Sequence, residues 1–368
     1  MKKKILFIIW SFSYGGGAEK ILSNIVNNID SKKYDVDVLE YQYAGIKREK
    51  IKSNVNLLKP IINAENRGIF NRIKNVIINF LIIRCPWIIR KIFLNKKYDV
   101  EISFNYLIPT FLLNKKSKLK LSWVHGSIYD LKDNYRLLNK QRKYFRSVDK
   151  IVAISKRTYE SIINLYPEYK DKAIIIHNGY DFNNIIKLSE EKTGDKFDII
   201  YCGRMDKNKN PIKLLNILRI IKEKGYDYKL GYIGEGDLKT DLENKIIDWN
   251  MQDSVKLLGF QKNPYKYMGK SKIICMTSYS EGFPTVIIEA MTLGKPFIST
   301  PVAGVDEMSF NNECGYVIDD EEKYADKIIE LLNNEKLYKK MSDNCKKNVK
   351  NFSMDSQIKQ VEKLIDKE

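Results

Sequence analysis

Two carboxylates, Glu281 and Glu289, stand in the stretch Ser280-Glu281-Gly282-Phe283-Pro284-Thr285-Val286-Ile287-Ile288-Glu289-Ala290. The first falls in a turn and the second inside an apolar run of helical period. Gly282 and Pro284 break the chain just after Glu281, which predicts a helix N-terminus with a free carboxylate and free backbone N–H groups beside it. Such an end carries unsatisfied donors and a partial positive charge, so it takes anions and hydroxyl groups. A little over two turns separate the glutamates, and the spacing predicts that both lie near one helix face. One buried carboxylate accepts two hydrogen bonds from vicinal hydroxyls, as Rossmann folds do with ribose. The pattern outlines a sugar-nucleotide site; the alternative is a surface turn entering a packed helix whose charges are merely solvated.

A second cluster lies upstream. Tyr201-Cys202-Gly203-Arg204-Met205 closes an apolar run, Phe197 to Tyr201, that reads as a buried strand. Lys207, Lys209, Asn210 and Pro211 follow, before a helix-period run from Leu214. A glycine at the strand exit lets the backbone turn, so that Arg204 and Lys209 project over the carboxyl edge of the sheet, where open parallel sheets bind ligands. Arginine offers a bidentate fork for phosphate and lysine a compact charge.

The start of the chain repeats the logic. Lys4 to Trp10 is nearly all apolar, Ser11-Phe12-Ser13-Tyr14-Gly15-Gly16-Gly17-Ala18-Glu19 follows, and a helix-period stretch runs to Ile29. Glycines in such a loop permit positive φ and close backbone approach to a ligand. The dinucleotide fingerprint needs a third glycine where Lys20 stands, although an acid, Glu40, follows near the end of the second strand. A nicotinamide dehydrogenase is therefore the weaker reading. Of the two histidines, His125 follows a strand-like run and precedes Gly126, which puts it at a sheet edge. His177 precedes the turn Asn178-Gly179-Tyr180-Asp181 and reads as structural.

Taken in order along nearly the whole chain, these motifs resemble the retaining nucleotide-sugar glycosyltransferases of family 4, of the kind that build bacterial capsule and O-antigen. Glu281 and Glu289, followed by Gly294-Lys295-Pro296, are similar to the donor signature of that family. Gly203, Arg204 and Lys209 match its diphosphate clamp, and Lys209 is preferred to Lys207 because it directly precedes Asn210-Pro211. Gly16, Gly17 and Glu19 match its glycine loop, with the register of the triple glycine left open. The second-half motifs are specific and the first-half ones individually weak.

The resemblance implies the GT-B fold, an α/β architecture of two Rossmann-like domains facing across a cleft. It implies a nucleotide-diphosphate hexose or N-acetylhexosamine donor, most often UDP-linked, and retention of the anomeric configuration. In that scheme Glu281 and the helix N-terminal amides near Gly282 to Thr285, a segment that includes Phe283 and Pro284, hold the sugar, and Glu289 grips the ribose. Arg204 and Lys209 neutralise the departing diphosphate, His125 contacts the transferred hexose, and the backbone of Leu258 touches the base. The catalytic set is then Glu281, His125, Arg204 and Lys209, with no protein base named, no metal and no cofactor. The acceptor is a glycan, of the polyprenyl-diphosphate-linked kind used for surface polymers.

Length and composition fit. A chain of 368 residues suggests two domains, and 43% hydrophobic with 30% charged residues is ordinary for a soluble protein. Strand patterns begin near Lys4, Tyr34, Tyr98, Leu119, Lys150 and Lys172, then near Asp198, Lys229, Ser254, Lys272, Pro296 and Gly315. They alternate with helices, which argues for two parallel sheets. The expected domains are 1–182 and 197–350, joined by a polar linker over 183–196, with a C-terminal helix over 351–368 packing back on the first. Five dispersed cysteines read as reduced thiols. The lysines at the start precede a short apolar run that reads as a strand and not as a signal peptide. Asp35-Val36-Asp37 imitates a metal-binding pair but lies inside a strand pattern.

Charge is uneven. Residues 1–180 carry a net +19 and residues 181–368 a net −1. A basic half suggests nucleic acid, yet no such motif appears, so nucleic acid is not expected as a partner. Between Ile69 and Lys97 apolar runs are interleaved with Arg84, Pro86, Trp87, Arg90 and Lys91. Charges there disfavour a spanning helix and suit either a segment lying in an anionic membrane interface or a hairpin packed in the first domain. The expectation is a cytoplasmic enzyme, peripheral on the inner face of the membrane. The rival readings are a sugar-nucleotide epimerase of the same architecture and a non-catalytic basic protein that binds nucleic acid or membrane.

Overall fold

The apolar run at the start forms β1 (Lys3–Ile9), whose residues from Ile5 to Ile9 are buried. A strand apolar on both faces belongs in a parallel sheet covered by helices on each side. That architecture holds throughout the computed structural model, which describes residues 2–14, 17–45, 50–65, 68–94 and 96–366. The first half continues with α1 (Gly17–Asn28), β2 (Tyr34–Glu40), β3 (Gln42–Tyr43), β4 (Val55–Leu57), β5 (Ile62–Asn63), α2 (Ile69–Arg84), α3 (Pro86–Phe93) and β6 (Val100–Ser103). Then come α4 (Ile108–Phe111), β7 (Leu119–Val124), α5 (Tyr135–Phe145), β8 (Lys150–Ala153), α6 (Lys156–Leu165) and β9 (Ala173–Ile175).

Seven of these strands make a parallel sheet in the order β4-β2-β1-β6-β7-β8-β9. The order reverses between β1 and β6, so that crevice is the ligand edge of the first sheet. β3 and β5 pair separately. Of the described strands, β3, β4 and β5 escape the strand pattern of the sequence.

The second half begins with α7 (Phe182–Ser189), β10 (Ile199–Cys202), α8 (Pro211–Glu223), β11 (Leu230–Ile233), α9 (Lys239–Asp248) and β12 (Val255–Leu257). Next are α10 (Tyr265–Met268), β13 (Ile273–Met276), α11 (Thr285–Thr292), β14 (Phe297–Ser299), α12 (Val305–Ser309) and β15 (Gly315–Val317). The chain closes with α13 (Glu321–Asn333), α14 (Glu335–Asn348) and α15 (Met354–Asp366). The second sheet has the order β12-β11-β10-β13-β14-β15, again parallel, with its reversal between β10 and β13. Each half is thus a Rossmann-like unit, the α/β class expected.

The chain divides into Met1–Gly179 with Met354–Glu368, and Tyr180–Ser353. Helix α15 belongs to the first unit: Lys3 Nζ donates to the Ile365 carbonyl at 2.9 Å, and Glu362 accepts from the Asp30 N–H at 2.8 Å. The polar stretch 183–196 is not a plain linker. Asp181 caps α7 by accepting from the Asn184 N–H, and Ile185 is buried, so local capping and one apolar face fold it into the second unit.

Candidate functional site

In the second unit the residues of the reversal point are set by backbone contacts that only glycine allows. Gly234 and Gly236 follow β11 at φ +142° and +157°. A Cβ on Gly234 would lie 1.9 Å from the Gly203 carbonyl oxygen, and one on Gly236 2.4 Å from that of Met205. The Gly-x-Gly loop therefore lies directly on the Gly203–Met205 backbone, and the Glu235 carbonyl accepts from the Met205 N–H at 2.9 Å. Sequence reasoning passed over this pair, though a glycine loop at a strand exit is the signal it used at the start of the chain. Beyond it, Tyr201 Oη donates to the Arg204 carbonyl at 2.9 Å, and Asp206 accepts from the Lys209 N–H at 2.8 Å. Asn210 takes the left-handed conformation (φ +46°) that starts α8 at Pro211.

Lys209 and Glu281 meet here. Nζ donates to Oε1 at 2.5 Å, with side chains 25% and 12% exposed. The loops are tied again where Asn208 Nδ2 donates to the Ser280 carbonyl at 2.9 Å and the Tyr279 N–H donates back to Asn208 at 2.8 Å. The carboxylate of Glu281 is thus not free, as the turn alone suggests. Nor do the two glutamates share a helix face: α11 begins at Thr285, so Glu281 stands in the loop before it while Glu289 rides the second turn. Glu289 accepts instead from Tyr265 Oη at 3.1 Å. Arg204 stands apart from this pair, 75% exposed, with Nη2 3.1 Å from Asp206. Lys207 is exposed.

Pro284 occupies the N-cap position of α11, and no side chain caps the helix there. Phe283 packs on Phe352 at 5.8 Å between ring centroids, and Gly304 (φ +84°) makes room for its ring, since a Cβ there would be 2.7 Å away. Gly282 and Thr285 are exposed. Burial and the nearby Glu289 push the Cys202 thiol up to about 12, so it stays protonated. The same two causes raise Tyr265. Leu258 already donates its N–H to the Tyr232 carbonyl at 2.8 Å, and its carbonyl accepts from Gln261 Nε2 at 2.6 Å, which leaves one carbonyl lone pair for a base.

In the first unit Gly16 lies outside the described residues, while Gly17 is the exposed first residue of α1. The loop before it is held by Glu40, fully buried at the end of β2. Its Oε1 accepts from the Phe12 N–H at 2.8 Å, from Ser11 Oγ at 3.3 Å and from Ser13 Oγ. A carboxylate so engaged is not presented to a ribose, which removes the feature that favoured a dehydrogenase. At this edge a cavity of about 330 Å³ is lined by residues that include Trp10, Tyr14, Glu19 and Asn105.

His125 leaves β7 one strand over. Its ring packs at 4.5 Å on Phe104, and burial lowers its pKa to about 4, partly offset by a hydrogen bond to the Phe104 carbonyl. The residue as a whole is half-buried, but its Nε2 is shielded and has no partner. A neutral imidazole has one donor and one acceptor nitrogen, and here Nε2 is the one left unused. His177 Nδ1 bonds the Ile154 carbonyl at 3.0 Å. Asp35 and Asp37 lie on β2, where Asp37 is buried against Lys96 and Tyr98 at 3.0 and 2.6 Å.

Comparison with known proteins bears on both units. Residues 15–184 match the model described as Glycosyltransferase Family 4, and residues 183–348 match that of Glycosyl transferases group 1. An uncharacterized glycosyltransferase of Methanocaldococcus jannaschii is 30% identical over 267 residues, covering 70% of this chain and 71% of that one. An N-acetylgalactosamine-N,N'-diacetylbacillosaminyl-diphospho-undecaprenol 4-alpha-N-acetylgalactosaminyltransferase of Campylobacter jejuni is 28% identical over 370 residues, 96% of each chain. Among solved structures, the Anabaena protein HepE in complex with UDP superposes with a TM-score of 0.73 over 99% of each chain, at 17% identity. That last likeness is one of fold.

Proposed function

The chain belongs to the family-4 glycosyltransferases of GT-B fold, and on that premise we propose that it is a retaining, metal-independent transferase. It moves a hexose or N-acetylhexosamine from a nucleotide-diphosphate sugar to a glycan acceptor. The observation that carries this reading is the Lys209–Glu281 pair at the β10/β13 reversal, above the uncapped start of α11.

In the transfer, the bond from the anomeric carbon to the diphosphate oxygen breaks while one forms to an acceptor hydroxyl oxygen, and the leaving diphosphate, on which negative charge grows, takes up that hydroxyl's proton. Lys209 and Arg204 neutralise it in place of a cation. An ammonium has three donors, so Lys209 keeps Glu281 on one and offers the others to phosphate. Glu281 and the amides at the start of α11 hold the sugar through its hydroxyls. Glu289, oriented by Tyr265, takes the ribose hydroxyls. On the family resemblance, His125, with its unpartnered Nε2, is the first unit's candidate for a hexose hydroxyl.

UDP is the nucleotide to test first, since the structural neighbour was solved with it. The Campylobacter relative is named for an undecaprenyl-diphosphate-linked acceptor, which supports a lipid-linked acceptor in surface-polymer synthesis here. The net charge of +19 on residues 1–180 supports a peripheral place on the anionic cytoplasmic leaflet. No helix among the described residues is long and apolar enough to cross a membrane. The test is a panel of nucleotide sugars given to the purified protein, with nucleotide diphosphate release and the anomeric configuration of the product read out. Consumption of none of them sinks the proposal; release of free sugar with no transfer to any glycan moves it to the epimerase reading.

A further inference from the structure

Helix α2 is amphipathic the wrong way round for a helix packed on a core. Its inward side carries half-buried Asn71, Asn75 and Asn79 beside buried Ile78 and Ile82. Its outward side carries Ile69, Ile73, Val76, Phe80 and Ile83, an i, i+4, i+7 stripe, all exposed, with Phe70 89% exposed beside it. The stripe continues on α3 at Trp87, which is 67% exposed. Sixteen residues of helix make an apolar rod about 24 Å long. Contiguous apolar surface on this scale marks an interaction site.

The foot of this face opens on a cationic cavity. About 360 Å³ in volume, it is lined by Arg84, Trp87, Phe111, Lys115, Lys116 and Lys143 among others, and no carboxylate is among its lining residues. Arg90 also lines it, but its charge is spent on buried Glu101 at 2.6 Å. Arg84 lies over the Phe80 ring at 5.6 Å, so one cation sits directly on the apolar stripe. Lys140, over Phe111 at 4.6 Å, has its pKa lowered by burial and by the cations of Arg136, Arg84 and Lys143. Like charges held this close without a carboxylate leave an excess that an anion relieves. Across residues 66–98 the chain has eight Lys and Arg and no Asp or Glu.

We propose that α2 and α3 form a lipid-docking device in which the apolar stripe enters the bilayer interface while the Arg84–Lys143 cavity takes the phosphate of an anionic phospholipid. The apolar and cationic parts match an amphiphile whose phosphate sits just above its acyl chains. Arginine over an aromatic ring is the arrangement by which a cation reaches the headgroup while its stem stays apolar. A second copy of the chain fits worse, since it would bring the same cations face to face. The device rests on the membrane-peripheral reading above and makes it specific. It does not share residues with the transfer site: the cavity lies toward the amino ends of β6 and β7, where Lys115 and Lys116 precede Leu119, whereas His125 leaves β7 at the carboxyl end.

The experiment is co-sedimentation of the full chain with vesicles of phosphatidylcholine alone or with phosphatidylglycerol, alongside donor hydrolysis in solution. The wild type should bind phosphatidylglycerol vesicles at least tenfold better than neutral ones. Arg84→Gln with Lys143→Gln should remove most of that preference. Phe80→Ser with Trp87→Ser should weaken the binding that survives high salt. Both double variants should hydrolyse donor as the wild type does, which also shows that they fold. Equal binding to both vesicle types, or wild-type vesicle binding by both variants, overturns the device. Displacement from vesicles by millimolar inorganic phosphate would make the cavity a free-anion site and overturn the lipid assignment. Concentration-dependent dimers, lost in the Phe80→Ser, Trp87→Ser variant and with no vesicle binding, would assign the face to a second copy and overturn it too. Absence of donor hydrolysis in every protein, with vesicle binding intact, would leave the device standing and remove the transferase reading.

Discussion

Lys209 Nζ donates to Glu281 Oε1 at 2.5 Å across 72 residues of sequence. The two groups that a donor would divide between its phosphates and its sugar are already joined to each other. Lys209 therefore orients Glu281 as well as carrying charge, and its loss should cost more than that of a phosphate contact alone. Lys209→Ala should lower kcat by about 10²–10³-fold, the scale of a lost transition-state donor. Lys207→Ala should stay near wild type, because Lys207 is exposed. Glu281→Ala should lower kcat more than it raises KM. Steady-state kinetics on the three variants check this, and the reverse order for the two lysines would move the clamp.

Glu289 should be the affinity residue. Glu289→Ala should weaken donor binding by about 1–3 kcal/mol, the range for hydrogen bonds to a charged group. Tyr265→Phe, which removes only the hydroxyl that holds that carboxylate at 3.1 Å, should have a smaller effect in the same direction. Calorimetric titration with the nucleotide diphosphate measures both. Unchanged affinity in Glu289→Ala would detach it from the ribose.

Removal of divalent ions should leave the rate unchanged, because Arg204 and Lys209 supply the positive charge a cation would bring. The check is activity in excess chelator. Loss of activity that Mn²⁺ or Mg²⁺ restores would contradict the proposal.

His125 should act as a neutral group. Its pKa of about 4 lies below the ordinary 6.5, so between those values the unfolded chain binds the proton that the folded one refuses. The stability this residue contributes is complete above pH 6.5 and is lost as pH falls through 4. It amounts to order 1–3 kcal/mol. Urea midpoints of the wild type should fall over that window, and those of His125→Phe should fall less. Turnover in His125→Phe should drop at every pH from 6.5 to 8, without a shift in the profile.

Glu40 should be a positioning residue. Glu40→Ala leaves the Phe12 N–H and the hydroxyls of Ser11 and Ser13 without their buried acceptor, at a cost of about 2–4 kcal/mol. Glu40→Gln, which keeps one carbonyl oxygen, should recover part of it. Denaturant midpoints read the cost. Turnover should fall with it because Ser11 to Ser13, which lead from β1 toward α1, are held by these contacts.

Much of this molecule is written locally. Twelve strand starts were readable to within two residues because each is a short apolar run bounded by turn residues, a pattern needing no knowledge of its neighbours. The motifs at Gly203, Arg204 and Lys209, and at Glu281 and Glu289, were readable because strand exits and helix starts impose residue types at set spacings. Contacts between distant segments were not readable. Lys209 meets Glu281 only because the sheet order sets β10 beside β13, and spacing within the second motif suggested a free carboxylate on a shared helix face instead. Glu40, the acid behind the weaker dehydrogenase reading, is turned by folding under the residues that follow β1. The periodicity of α2 marks an apolar stripe without saying which side the sheet covers. The sequence by itself determined the elements and the chemistry at their ends; tertiary structure alone decided which ends meet and which apolar face stays out, because periodicity is a property of one segment and burial a property of several.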